Sequence, residues 1–249
     1  MNLRSLQKHW NSLAKDDPLR AILTRPESRK DVPWDAVRFF ESGVVEVAAV
    51  LRRAEEIRPL VRRGRALDFG CGVGRLTQAL ASHFDHVCGV DISPAMIERA
   101  REYNRAGSRC EYVVNESADL SRFPDGHFDL IYSSITLQHM PTRYAKRYIA
   151  EFMRVLDRNG LLLFQLPSRR RGRWGWLRSA ALSIADPLLH PFAPRVVMRG
   201  IPKQDVVELL VQNGGEVLDI AADQSAGPEW ESYRYACGLR SPSGFLSQR

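Results

Sequence analysis

Apolar positions along the chain fall into two alternating patterns. Ala66–Phe69, Val87–Val90, Cys110–Asn115, Phe128–Tyr132 and Leu161–Leu166 are short, nearly continuous apolar runs, each reading as a buried strand. Between them lie segments of helical period. From Glu41 to Leu60, Val44, Val47, Ala48, Leu51, Ala54 and Ile57 recur with charges between them, which predicts a helix laid on a sheet. Leu76–Phe84, 94–105, 142–156 and 202–213 carry the same signal. Ser93-Pro94 supplies an N-cap and a first-turn proline for the second of these, and Gly214-Gly215 stops the last. Glu216–Ala222 and Tyr233–Arg240 read as two further strands. Residues 1–40 are polar and broken, with WNSLAKDDPLRAILT predicting a short helix, a proline turn and another short helix.

The most informative stretch joins the first strand to the next helix: Ala66-Leu67-Asp68-Phe69-Gly70-Cys71-Gly72-Val73-Gly74-Arg75-Leu76. Glycines at every second position let the backbone approach a ligand and leave helix-opening N–H groups free. The dinucleotide fingerprint G-x-G-x-x-G fails, because Arg75 holds its last glycine position. Asp68 closes the strand and suits a cationic amine better than a pyrophosphate. Asp91 ends the second strand, where a carboxylate can accept hydrogen bonds from ribose hydroxyls. A ligand with a ribose, an amine and no phosphate describes S-adenosylmethionine (SAM).

Four stretches in order, LDFGCGVGRL, VCGVDIS, FDLIYSSITLQHM and VLDRNGLLLFQLP, resemble the motifs of class I SAM-dependent methyltransferases over roughly residues 64–167. The resemblance implies an α/β fold: a doubly wound, mostly parallel seven-stranded sheet of order 3-2-1-4-5-7-6, its last strand antiparallel, flanked by helices. It implies a SAM-binding Rossmann-like domain over 41–249 and a helical lid or cap over 1–40. A substrate lid is expected within 168–200. Cofactor contacts carry over to Asp68, Gly70, Cys71, Gly72, Gly74, Asp91 and Ser133, with Ile92 covering the adenine. The turn after the third strand supplies Glu116, Ser117 and Ala118, with Asp119 the competitor if the turn differs by one residue. His139, in the loop after the fourth strand, is the candidate base, with Gln138 orienting the acceptor, although a lone histidine is more often structural. Arg75 is open to two roles, meeting the methionine carboxylate or capping its own helix.

Composition narrows the function classes. The chain has 249 residues, 44% hydrophobic and 26% charged, as an ordinary soluble globule does. No apolar run approaches the roughly 20 residues of a membrane span, and MNLRSLQKHW lacks a signal core, so a cytoplasmic location is expected. Four cysteines and six histidines show no metal spacing, so no metal is expected and the thiols read as reduced. The net charge of +7 raises the case for acidic partners. Five arginines and two tryptophans crowd into 168–178. That basic stretch reads as a substrate lid, a solvated loop, or a peripheral membrane contact through 169–184. No [DNS]-P-P-[YF] follows the fourth strand and no Pro-Cys pair occurs, which argues against base-amine and cytosine-C5 methylation. A small-molecule acceptor leads, methylated on O or N; no DNA is expected. RNA methylation and non-catalytic SAM binding are the alternatives. Oligomeric state is not legible.

Overall fold

The computed structural model describes residues 2–23, 35–59, 62–172 and 197–240. Seven strands form one sheet: β1 (Arg65–Phe69), β2 (His86–Asp91), β3 (Cys110–Val114), β4 (Phe128–Ser133), β5 (Leu156–Arg170), β6 (Gly215–Asp223) and β7 (Trp230–Leu239). Their order is β3-β2-β1-β4-β5-β7-β6. The strands from β1 to β5 pair in parallel, and β7 runs antiparallel to both β5 and β6. Fold class and strand order are those expected.

Helices cover both faces because both faces are apolar. On one side lie α3 (Ala36–Ile57), α4 (Arg75–Leu80) and α5 (Pro94–Tyr103), whose Val47, Leu51, Leu80 and Ile97 pack on Ala66, Val87 and Leu130. On the other lie α6 (Thr142–Val155) and α7 (Lys203–Gln212), with Ile149, Phe152 and Leu210 against Leu67, Ile131 and Phe164. Two N-terminal helices, α1 (Leu3–Asp16) and α2 (Pro18–Ile22), join the glycine turn through a smaller cluster of Ala14, Leu19, Phe39, Val73 and Met96.

Element boundaries moved where local chemistry overrode period. The first helix begins at Leu3 rather than near Trp10, because Asn2 accepts from the Ser5 N–H and caps it. Asp35 caps α3 through Val37 N–H in the same way, so that helix starts before Glu41. The strand expected from Leu161 begins earlier, at Leu156, with Asn159 and Gly160 in an irregularity between the Phe128–Leu156 and Leu130–Leu161 pairs. Pro167 does not end β5. The register shifts between Pro167 and Arg169, and pairing with β7 resumes to Arg170, a bulge absorbing the missing N–H. The expected lid over 168–200 lies mostly outside the described residues.

Candidate active site

A cavity of about 980 Å³, counting its open mouth, lies at the carboxyl ends of β1, β2 and β4. That is the crevice where open α/β sheets bind ligands. Its floor is the glycine turn. Gly70, Gly72 and Gly74 all have positive φ. A Cβ on Gly70 would come within 2.2 Å of the Thr136 side chain, and one on Gly72 within 2.6 Å of Ile22 Cδ1. Gly74 is the N-cap of α4, and its missing Cβ makes room for the Tyr112 hydroxyl rather than for the cavity.

Asp91 borders this floor. Its Oδ2 accepts from Gly72 N–H (3.0 Å) and its Oδ1 from Ser93 N–H (2.8 Å). Burial raises its pKa, and the N–H groups of Ser93, Gly72 and Ile92 oppose the rise. Ile92 and Met96 give an apolar flank beside it. Leu3, Leu6 and Trp10 of α1 and Ala21, Ile22 and Leu23 at the end of α2 line the cavity as well. The N-terminal segment therefore forms one wall of the cavity.

Of the expected residues, Gly70, Cys71, Gly72, Asp91, Ile92 and His139 line the cavity. Others lie off it for physical reasons. Asp68 is only 1% exposed. Strand alternation turns it to the α4 side, where the Thr77 hydroxyl donates to its Oδ2 (2.6 Å). Burial pushes its pKa up to about 7, despite the opposing Thr77 hydrogen bond and Arg75 charge. Ser133 is buried and donates to Phe69 O (3.0 Å), leaving the wall to Ser134. In the turn after β3, Glu116 accepts from Gln7 Nε2 of α1 (2.6 Å), and the Tyr148 hydroxyl donates to Ser117 O. Ala118 stands off the wall too, and Asp119 faces away to pair with Arg147 (2.8 Å). From this turn the cavity receives Asn115, whose Nδ2 donates to Asp119 O (2.9 Å). Its position at the end of β3 was the available signal, since ligand groups gather at carboxyl ends of strands.

His139 faces the cavity edge-on to Trp10, with ring centroids 5.7 Å apart. Burial lowers its pKa to about 4, so its ring is neutral at physiological pH. Gln138 is off the wall and reaches His139 Nε2 at 3.2 Å. Arg75 lines the cavity while its Nη2 meets Glu46 Oε2 of α3 at 2.6 Å. Tyr132, a core residue, donates its hydroxyl to the same carboxylate (2.8 Å). All four cysteines are free and buried, and burial holds the Cys71 thiol well above its usual pKa. Among the described residues no helix is long and apolar enough to cross a membrane, and no group of three or more ligands could hold a metal.

The fold and this crevice define a Rossmann-like SAM-binding enzyme. A glycine floor without Cβ atoms, a carboxylate beside it and an apolar flank fit a nucleoside with an uncharged edge. The family model described as a methyltransferase domain matches residues 66–160. The chain is 31% identical over 185 residues to aklanonic acid methyltransferase of Streptomyces sp. (strain C5), spanning 73% of this chain and 80% of that protein. It is 38% identical over 104 residues to trans-aconitate 2-methyltransferase of Enterobacter sp. (strain 638), spanning 41% of this chain and 38% of the relative. Magnesium protoporphyrin IX methyltransferase from Synechocystis PCC 6803, solved with bound SAH, shares the fold at TM-score 0.62 and 22% identity, over 96% of this chain and 99% of that one. The chain belongs to the SAM-dependent methyltransferase family, and SAM is its cofactor.

Proposed function

We propose that this enzyme moves the SAM methyl group to an O or N atom of a small molecule: a metabolite, a natural-product intermediate, a sugar or a lipid-linked glycan. The observation that carries the reading is the convergence of Asp91, the glycine floor and His139 on one cavity walled by the N-terminal helices. Bound SAM supplies an electrophilic methyl on a sulfonium, displaced in line. The chain's own task is then alignment and exclusion of water. Asp91 holds the ribose, Gly70 and Gly72 admit the ligand to the backbone, and Ile92 covers the adenine. The α1 and α2 wall closes the site as a lid. A neutral His139 is compatible with a neighbouring sulfonium, where an imidazolium would repel it. It takes the acceptor's proton where the acceptor needs a base.

Relatives support a small acceptor, since two of them are named for organic acids. No observation favours RNA. Arg169 is paired with Glu231 (2.7 Å) and Arg170 lies over the Trp230 ring (5.2 Å); Arg171 is exposed, its backbone N–H donating to Glu229 O (2.8 Å), and Arg173 and Arg178 lie outside the described residues. The same holds for most of the 169–184 segment proposed for membrane contact.

The test is calorimetric titration with S-adenosylhomocysteine (SAH), followed by an acceptor panel of phenols, carboxylic acids, amines and glycans with methyl-labelled SAM. Micromolar SAH binding and label in one acceptor class support the proposal. SAH binding with no transfer to any class favours the non-catalytic alternative.

A further inference from the structure

Ile135, in the loop leaving β4, has a φ of +53° and is the one non-glycine residue with positive φ among the described residues. A β-branched side chain in that region is strained, and it persists only where its surroundings hold it. The Ile135 N–H donates to Gln165 Oε1 (3.1 Å). Gln165 is buried on β5, and its Nε2 donates to Ser232 Oγ (2.7 Å) and to Gln138 Oε1 (3.1 Å). Gln138 then turns its Nε2 to His139 Nε2 (3.2 Å), and His139 Nδ1 lies 3.5 Å from Val197 O.

The donor direction along this chain is set from its ends. A backbone N–H only donates, so the Gln165 atom that meets Ile135 must be oxygen. Its nitrogen therefore faces Gln138, which must answer with its own oxygen and turn its nitrogen to His139. An amide nitrogen donates, so His139 Nε2 accepts, and the single proton of the neutral ring sits on Nδ1. Val197 O, an acceptor, stands on the Nδ1 side. Both ends of the chain demand the same tautomer. Burial, with the charge of Arg199 nearby, disfavours a second proton on the resting ring, against the opposing hydrogen bond to Val197 O.

We propose that Gln165 is a positioning residue: acting through Gln138, it holds His139 as the Nδ1–H tautomer with Nε2 engaged by the Gln138 amide. The positioning role rests on the reading of His139 as the residue that faces the acceptor.

Long-range proton–nitrogen NMR of the histidine rings, on the full chain loaded with SAH, reads the tautomer directly. The wild type should show one neutral Nδ1–H tautomer for His139 at neutral pH. Gln165→Leu and Gln138→Leu should each give a mixture or the Nε2–H form. Gln138→Leu leaves the Ile135 bond intact and serves if Gln165→Leu does not fold. Once an acceptor is known, turnover of Gln138→Leu should fall about 10- to 100-fold with SAH affinity within about twofold. An Nε2–H wild type, or a wild-type ring pattern in both variants, overturns the inference. A wild type with the expected tautomer but no SAH binding would remove the methyltransferase reading of the site and leave the tautomer assignment standing.

Discussion

The carboxylate of Asp91, at the end of β2, accepts the backbone N–H of Gly72 at 3.0 Å. One side chain thus ties the second strand to the turn after the first, and places an acceptor beside the floor of the cavity. Asp91→Ala removes this tie together with the proposed ribose acceptor. SAH affinity should fall by about 1–3 kcal/mol by calorimetry. Wild-type affinity in a folded variant would take Asp91 out of the cofactor site.

The glycine floor is coupled to the N-terminal wall. A Cβ on Gly72 would lie 2.6 Å from Ile22 Cδ1. Gly72→Ala should therefore weaken SAH binding partly by pushing the Ile22 side chain out of place, besides straining a φ of +53°. Adding Ile22→Ala should restore part of the loss. Additive losses in the double-mutant cycle would show that α2 does not press on the turn.

Asp68 should make stability depend on pH. Its ordinary pKa is near 3.8 and burial raises it to about 7. The folded protein thus holds this proton where the unfolded chain has released it. Asp68 favours folding below the unfolded value, and that contribution is lost as pH rises through about 7. Urea unfolding between those pH limits should show wild-type stability falling relative to Asp68→Asn. Parallel curves would mean that Asp68 is ionised throughout.

Glu46 is the carboxylate partner of Arg75, whose side chain is only 5% exposed. The Arg75 guanidinium holds the Glu46 carboxyl below its usual range against the opposing effect of burial. Glu46→Ala leaves a buried guanidinium without its counter-charge and the Tyr132 hydroxyl without its acceptor. A loss of about 3–5 kcal/mol is expected in chemical denaturation. A loss under about 1 kcal/mol would mean that solvent reaches Arg75 freely.

Much of this was legible along the chain because it is local. Strand runs such as Val87–Val90, the alternating glycines 70, 72 and 74, and an acid closing β2 are written in neighbouring residues. The order of strands followed only from the resemblance that the motifs carry to class I methyltransferases. Side-chain direction was harder. In a sheet covered on both faces, Leu67 and Asp68 both look buried, and nothing in their order says which face α4 will cover. So Asp68 read as a ligand group and proved to be bound to Thr77. Asn115 and Glu116 are adjacent, and only the packing of Tyr148 and Gln7 against that turn separates the cavity residue from the α1 contact.

The sequence alone determined the elements, the cofactor class and the floor of its site, since each depends on residues within one strand–turn–helix unit. Only the tertiary structure decided the walls. Leu3, Trp10 and Ile22 reach the cavity across a long chain separation, and Gln165 meets Ile135 and Gln138 from a neighbouring strand. Such contacts arise from how helices seat on the sheet, and burial then sets the charge state of Asp68 and His139. No local pattern carries that information, because the desolvation that shifts these groups comes from residues far away in sequence.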